Sequence, residues 1–188
     1  MLRFFIFALF SSSVLSLDAF SQPALQAKVA AIAAEAQGTV SVSCLLPGTE
    51  LNCDLNPHNH SPMQSVFKFP LVLTVLHLAD IGKLLPAQSP GESISITLKR
   101  RVRFLPEDRI PHAYSPLQDR YPDANVDVPL RKLIQLTIGK SDNVASEMLL
   151  RIAGGPSAVQ GYIRSLGIAE FQLQDGEQNL HRDPAAQY

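Results

Sequence analysis

Ser65 and Lys68 are the residues of this chain whose types and spacing could carry out a reaction. They lie three positions apart at the start of a predicted helix, so their side chains share one face of its opening turn. A serine hydroxyl is a poor nucleophile at neutral pH and needs a neighbouring base, which a partly buried lysine can provide. The helix dipole and the free backbone N–H groups at such a terminus would also stabilise negative charge on an attacked carbonyl. The pair therefore predicts nucleophilic catalysis by serine.

A purely structural interpretation of the same residues stands beside this one. Ser-x-x-Lys occurs by chance in many proteins, with the serine as an N-cap and the lysine in solvent. Here the lysine is followed by an apolar run from Phe69 to Leu78 that covers nearly every helical face, which predicts a buried helix. Because Pro70 has no N–H to donate, regular helix is expected to begin at about Phe67, with the Ser65 to Lys68 segment as its entry turn.

A second polar motif, Ser141-Asp142-Asn143, lies between two predicted helices. The first has Asp127 as its N-cap, Pro129 in its first turn and an apolar face that runs to Ile138, and the second runs from Val144 to Gly154. Taken alone, Ser, Asp and Asn in a row form an ordinary capping turn. A further helix is predicted over 156–166, followed by a polar loop over 174–181.

The rest of the chain shows shorter patterns. Helical spacing predicts an amphipathic helix over 23–36, and alternation predicts a hairpin of strands 39–46 and 51–55. Alternation from Ile94 to Leu98 predicts a short strand that leads into a solvated basic surface over 99–103. Between 105 and 129 the prolines come too often for regular structure.

The composition and the N-terminal segment indicate where in the cell the protein is located. The 188 residues carry a net charge of -1, which gives no electrostatic case for nucleic acid or an anionic membrane. Residues 1–21 combine one arginine, a short apolar segment and small residues at a cleavage position, which predicts a signal peptide. We therefore expect a secreted, periplasmic protein that has no membrane association after cleavage, with 22–188 as its catalytic domain.

Export makes the two cysteines relevant. Cys44 and Cys53 lie symmetrically about the turn 47–50, so the predicted hairpin places them opposite each other. A cross-strand disulfide and a pair of buried free thiols are the two alternatives. A zinc site is not expected, because the remaining candidate ligands are scattered.

The two serine motifs in this order resemble the penicillin-recognising serine enzymes, and within them the class A β-lactamases. The feature that separates class A from the penicillin-binding proteins is a glutamate on a later loop, and Glu177 occupies that place. That family usually has Asn four positions after this glutamate, whereas this chain has His181. The resemblance implies an α/β fold, of the α+β sandwich kind, with a helical region beside an antiparallel sheet.

The resemblance also implies roles for individual residues. Ser65 would be the nucleophile, Lys68 and Glu177 its bases, and Ser141 the proton donor to the departing ring nitrogen. Substrate would contact Asn143, Tyr114 and His181, while Asp142 would fix the turn. A β-lactam is the implied substrate of a monomer that needs no cofactor or metal.

Other elements of that family are not found in this sequence. The Lys-Thr-Gly motif, the other half of the oxyanion hole, the remaining sheet strands and the C-terminal helix have no counterpart. We therefore expect a partial β-lactamase-like domain over 22–188 whose fold and activity are impaired.

Two rival functions share the same serine and lysine. A D-alanyl-D-alanine peptidase would use both but would not need Glu177. A non-hydrolytic sensor domain would be acylated once by a β-lactam and would then signal.

Overall fold

The computed structural model describes residues 22–86 and 91–182, with side chains of the helix ends 22–23 and 181–182 left out. The chain forms two compact units, Met1–Ser61 and Pro62–Tyr188. The predicted signal peptide over 1–21 lies outside the described residues. Within the described part, no helix is long and apolar enough to cross a bilayer.

The first unit contains one helix and an irregular hairpin. Helix α1 spans Gln22–Ala34, close to the predicted range. Two isolated antiparallel bridges, Val42 to Leu55 and Leu45 to Asn52, replace the two predicted strands. The prediction of continuous strands is therefore wrong, although the register of both bridges sets Cys44 opposite Cys53. These two cysteines are joined in a disulfide.

The second unit holds the core and consists of helices and a two-stranded sheet. Its long helices are α2 (Lys68–Asp80), α5 (Leu130–Lys140), α6 (Asn143–Ala153) and α7 (Pro156–Ser165). Its short elements are α3 (Ile94–Thr97), β1 (Arg101–Phe104), α4 (Pro116–Arg120), β2 (Val126–Pro129) and α8 (Glu177–Arg182). Strands β1 and β2 are antiparallel.

Helix α2 is the centre of this unit. It contacts α5, α6 and α7, and Leu71 and Val75 are fully buried. The prediction of a buried helix is confirmed, except that Phe69 is 62% exposed. A 3₁₀ turn over Gln64–Phe67 precedes α2, so the predicted entry turn is also confirmed.

The alternating segment from Ile94 to Leu98 is helical, so the predicted strand there is wrong. The side chain of Ser93 accepts a hydrogen bond from the N–H of Ser95 and caps α3, which gives the backbone a local alternative to a strand. The strand comes later, in β1, where Val102 and Phe104 are buried and the intervening arginines are exposed. The prediction of a solvated basic surface therefore holds for those arginines.

The proline-rich region is more regular than its sequence predicts. Prolines open two short helices, a 3₁₀ helix over Pro106–Asp108 and α4, because a proline suits the first helical position. Asp127 is not an N-cap, since it lies in β2 opposite Arg103, with 3.6 Å between the charged groups. Helix α5 begins only after Pro129.

Apart from the later start of α5, the helices that flank the Ser-Asp-Asn motif lie close to their predicted ranges, and each ends near a glycine. Gly154 caps α6 in a left-handed conformation, φ 97°, which a side chain would disfavour. Two details differ from the sequence-based prediction. Ile138 is half exposed rather than buried, and the predicted polar loop after residue 174 contains helix α8, which begins at Glu177.

Candidate active site

Ser65 lies in the 3₁₀ turn that leads into α2, and its side chain is exposed. The preceding residue, Gln64, has a left-handed backbone with φ 47°. This conformation is uncommon for a residue other than glycine and costs about 1–2 kcal/mol. The chain thus enters α2 through a sharp bend that leaves the hydroxyl of Ser65 accessible to solvent.

Lys68 is one turn further on, and only 2% of its surface is exposed. Its Nζ lies 3.1 Å from Ser65 Oγ and 3.2 Å from Ser141 Oγ. It also donates to the backbone oxygen of Ser141 at 3.0 Å and to Asn143 Oδ1 at 2.5 Å. A buried amine needs such partners, because burying an unpaired charge is costly.

The Ser141 to Asn143 turn brings the second motif to the first. Ser141 ends α5 in the left-handed region, φ 53°, and this bend directs its side chain toward α2. Its hydroxyl donates to Ser65 Oγ at 2.9 Å. The two serines and Lys68 therefore form one hydrogen-bonded group, although the serines are 76 positions apart.

Asp142 holds this turn in place and is fully buried. Its Oδ1 accepts from the Ala145 N–H at 2.9 Å, which caps α6, and from the Ser115 hydroxyl at 2.7 Å. Its Oδ2 accepts from the Leu117 N–H at 2.7 Å. The carboxylate thus ties the Ser-Asp-Asn turn to the start of α4.

Glu177 approaches the group from α8. Its Oε1 lies 3.0 Å from Lys68 Nζ, and both side chains are buried, 9% and 3% exposed. The lysine therefore lies between the hydroxyl of Ser65 and a carboxylate. Two serine hydroxyls and one carboxylate therefore lie within hydrogen-bond reach of one amine, an arrangement that could move a proton to and from a serine.

The structure does not bring every predicted site residue to this group. Tyr114 is 60% exposed, and its contact with the turn is made by its backbone carbonyl, which accepts from the Asn143 N–H at 3.1 Å. The side chain of His181 lies outside the described residues. Cys44 and Cys53 belong to the other unit. Within 22–86 and 91–182, no three His, Cys, Asp or Glu residues are grouped as a metal site requires.

Two positioning residues are not apparent from the motifs. Ser115 meets Asp142 only through the fold, and no local pattern could reveal it. Glu147 is four residues after Asn143 on α6 and accepts backbone N–H groups of the Glu177 segment. Its helical spacing from Asn143 was the available signal.

Comparison with known proteins shows the family of the chain. The family model described as "Beta-lactamase enzyme family" matches residues 24–187. The extended-spectrum β-lactamase PER-1 of Pseudomonas aeruginosa is 32% identical over 166 residues, 88% of this chain and 50% of that protein. A β-lactamase of Bacteroides uniformis is 35% identical over 133 residues, 71% of this chain and 41% of that protein.

Solved structures give the same result at the level of the fold. A β-lactamase from Chitinophaga pinensis superposes with a TM-score of 0.76 at 31% identity, over 88% of this chain and 56% of that one. A class A representative from Bacteroides cellulosilyticus gives 0.72 at 27% identity, over 88% and 55%. The chain spans about half the length of the relatives it matches. Its helical region with a small antiparallel sheet is that of class A β-lactamases, and the chain belongs to the β-lactamase enzyme family.

Proposed function

We propose that this chain carries the acylation and deacylation residues of a serine enzyme that hydrolyses β-lactams. The observation that carries the proposal is the position of Lys68, whose Nζ is within 3.2 Å of both serine hydroxyls and of the Glu177 carboxylate. Family membership supports the substrate class, since the relatives are β-lactamases.

In the acylation step, Ser65 Oγ attacks the β-lactam carbonyl. Its proton passes to Lys68 in the neutral form, which Glu177 produces by accepting a proton from the ammonium group, directly or through water. The backbone N–H of Ser65, at the first turn of a helix, supplies one donor to the oxyanion. When the C–N bond breaks, Ser141 gives its proton to the ring nitrogen and is reprotonated by Lys68.

Before deacylation, Glu177 returns to Lys68 the proton that it accepted, which restores the ammonium group and the carboxylate. The Glu177 carboxylate then takes a proton from a water molecule that attacks the acyl carbonyl. The ester C–O bond breaks, and Ser65 Oγ regains a proton from Lys68. The penicilloate-type product then leaves with both elements of water added. This step separates a hydrolase from a protein that is acylated once.

Substrate is held by the residues around the serine. The side-chain amide of Asn143, fixed by its bond to Lys68, binds the amide of the substrate's side chain. The exposed Tyr114 forms one wall of the cleft. His181 remains a proposed substrate contact. Residues 1–21 direct the chain to the periplasm, where it acts as a monomer.

Benzylpenicillin with intact-mass spectrometry tests this mechanism on the chain. Because we expect the activity of this chain to be impaired, the predicted result is a slowly formed adduct of one intact penicillin on Ser65. The adduct is absent in Ser65→Ala and accumulates in Glu177→Gln. An exposed-glutamate variant, Glu170→Gln, is the matched control and should behave as wild type. No adduct in any variant would refute the proposal, and equal turnover in wild type and Glu177→Gln would favour the peptidase.

A further inference from the structure

Glu147 of α6 is a half-buried carboxylate that the mechanism does not use. It lies beside the backbone of the segment 176–178, which contains the proposed base, Glu177. The Gln178 N–H donates to its Oε2 at 3.4 Å, and the Glu177 N–H donates to the same carboxylate. Burial raises the pKa of Glu147 above its ordinary value of 4.5, and the nearby carboxylates of Glu177 and Asp108 act in the same direction.

Those two neighbours have cations of their own. Glu177 pairs with Lys68 at 3.0 Å, and Asp108 pairs with Arg151 at 2.8 Å. Glu147 forms no ion pair in the described part of the chain, so backbone N–H groups are the partners seen for its charge. A glutamate placed there at an electrostatic cost fits a role in holding the segment that carries Glu177.

Gly176 provides an independent observation. A Cβ added at this position would lie 2.5 Å from Glu147 Oε2, 3.0 Å from Oε1 and 2.6 Å from Leu150 Cδ2. Real Cβ atoms do not approach other atoms so closely, so a side chain at 176 would require the Glu147 carboxylate or the Leu150 methyl group to move. The length of the glutamate and the lack of a side chain at 176 are therefore matched.

We propose that Glu147 and Gly176 form a size-matched contact that positions Glu177 for deacylation. This inference rests on the proposed function and adds two positioning residues to it. Glu147 acts by accepting two backbone N–H groups, and Gly176 acts by letting the backbone come close enough to donate them. Both residues thereby fix the position of the Glu177 carboxylate, which lies next to Lys68.

The prediction is that variants at these two sites slow deacylation more than acylation. Glu147→Met removes both acceptors and should let the benzylpenicillin adduct persist at least tenfold longer than in wild type. Glu147→Gln keeps one acceptor oxygen and should recover part of that loss. Gly176→Ala should resemble Glu147→Met, because the added methyl group displaces the Glu147 carboxylate from the backbone N–H groups that it accepts.

The double variant Glu147→Asp/Gly176→Ala tests the size match directly. Shortening the acid makes room for the methyl group, so its deacylation should be faster than the product of the two single effects predicts. Strictly multiplicative effects, or deacylation rates equal to wild type in Glu147→Met and Gly176→Ala, would overturn the inference. Absence of any adduct in wild type would instead refute the proposed function.

Hydrogen exchange gives a readout that does not depend on turnover. In Glu147→Met, the amides of 177 and 178 should exchange at least tenfold faster, while those in the middle of α2 and α5 keep their protection. Protection at 177 and 178 that equals wild type would refute the contact. Glu170→Gln serves again as the control.

Discussion

Replacing Asp142 by alanine should destabilise the second unit more than any change at the reacting atoms. The carboxylate is fully buried and accepts from three donors, the N–H groups of Leu117 and Ala145 and the hydroxyl of Ser115. In Asp142→Ala, the two amides lose their acceptors in a place that water does not reach. Ser115 can turn its hydroxyl to another acceptor, so we count only the amides.

The size of the effect follows from those two amides. A buried donor left unsatisfied costs about 1–3 kcal/mol, and one of the two is also the N-cap bond of α6, which is worth about 1 kcal/mol. We therefore expect a loss of about 3–4 kcal/mol in the free energy of unfolding, out of the roughly 5–15 kcal/mol that small proteins have. For a chain of this size this corresponds to a fall of roughly 10 °C in Tm.

Urea unfolding followed by far-UV circular dichroism measures this loss, since the chain has no tryptophan to report by fluorescence. Asp123→Ala, which removes an exposed aspartate, is the matched control. Asp142→Asn keeps one acceptor oxygen and should fall between the two, and it gives the result if Asp142→Ala does not fold. A difference below about 1 kcal/mol between Asp142→Ala and the control would refute the assignment of these bonds.

Two further predictions concern buried charge. Lys68→Met leaves the carboxylate of Glu177 buried without its cation, so unfolding free energy should fall by about 3 kcal/mol, and Lys68→Met/Glu177→Gln should recover part of it in the same urea assay. Equal stability of the single and double variants would contradict this. Because burial raises the pKa of Glu147, the folded chain binds more protons than the unfolded chain above pH 4.5, so stability conferred by this group falls as pH rises through that window. Glu147→Gln should lack this fall, and parallel curves of unfolding free energy for wild type and variant between pH 4 and 8 would refute it.

The sequence predicts the long helices well because their apolar residues recur over several turns. Helices α5, α6 and α7 are each ten residues or more, so one misleading residue changes little in the pattern. Elements of four residues have no such redundancy. The segment that begins at Ile94 is helical because of its Ser93 cap, and β1 is a strand because Val102 and Phe104 fill the core.

Some contacts of the candidate site can likewise be predicted from the sequence, and others cannot. The spacing of Ser65 and Lys68 depends only on a local helical turn, so the sequence predicts that they meet. Their meeting with Ser141 and Glu177 depends on how α2 packs against α6 and α8 packs against α6, which spacing along the chain does not encode. Only the resemblance of the motifs to a known family connects these residues, and Glu147 lies outside those motifs.

The surroundings of Lys68 explain why its position suits proton transfer. An ammonium group has three hydrogens, whereas five oxygen atoms lie within 3.2 Å of Nζ. The ammonium group can therefore donate hydrogen bonds to at most three of these five oxygen atoms at a time. The hydroxyls of Ser65 and Ser141 can also act as hydrogen-bond donors themselves. Ser141 already does so, toward Ser65 Oγ. The carbonyl oxygens of Ser141 and Asn143 only accept hydrogen bonds, whereas the Glu177 carboxylate can also take a proton from Nζ. Hydrogens around Nζ can therefore move only among Lys68, the two serine hydroxyls and Glu177, which are the groups that the proposed reaction uses.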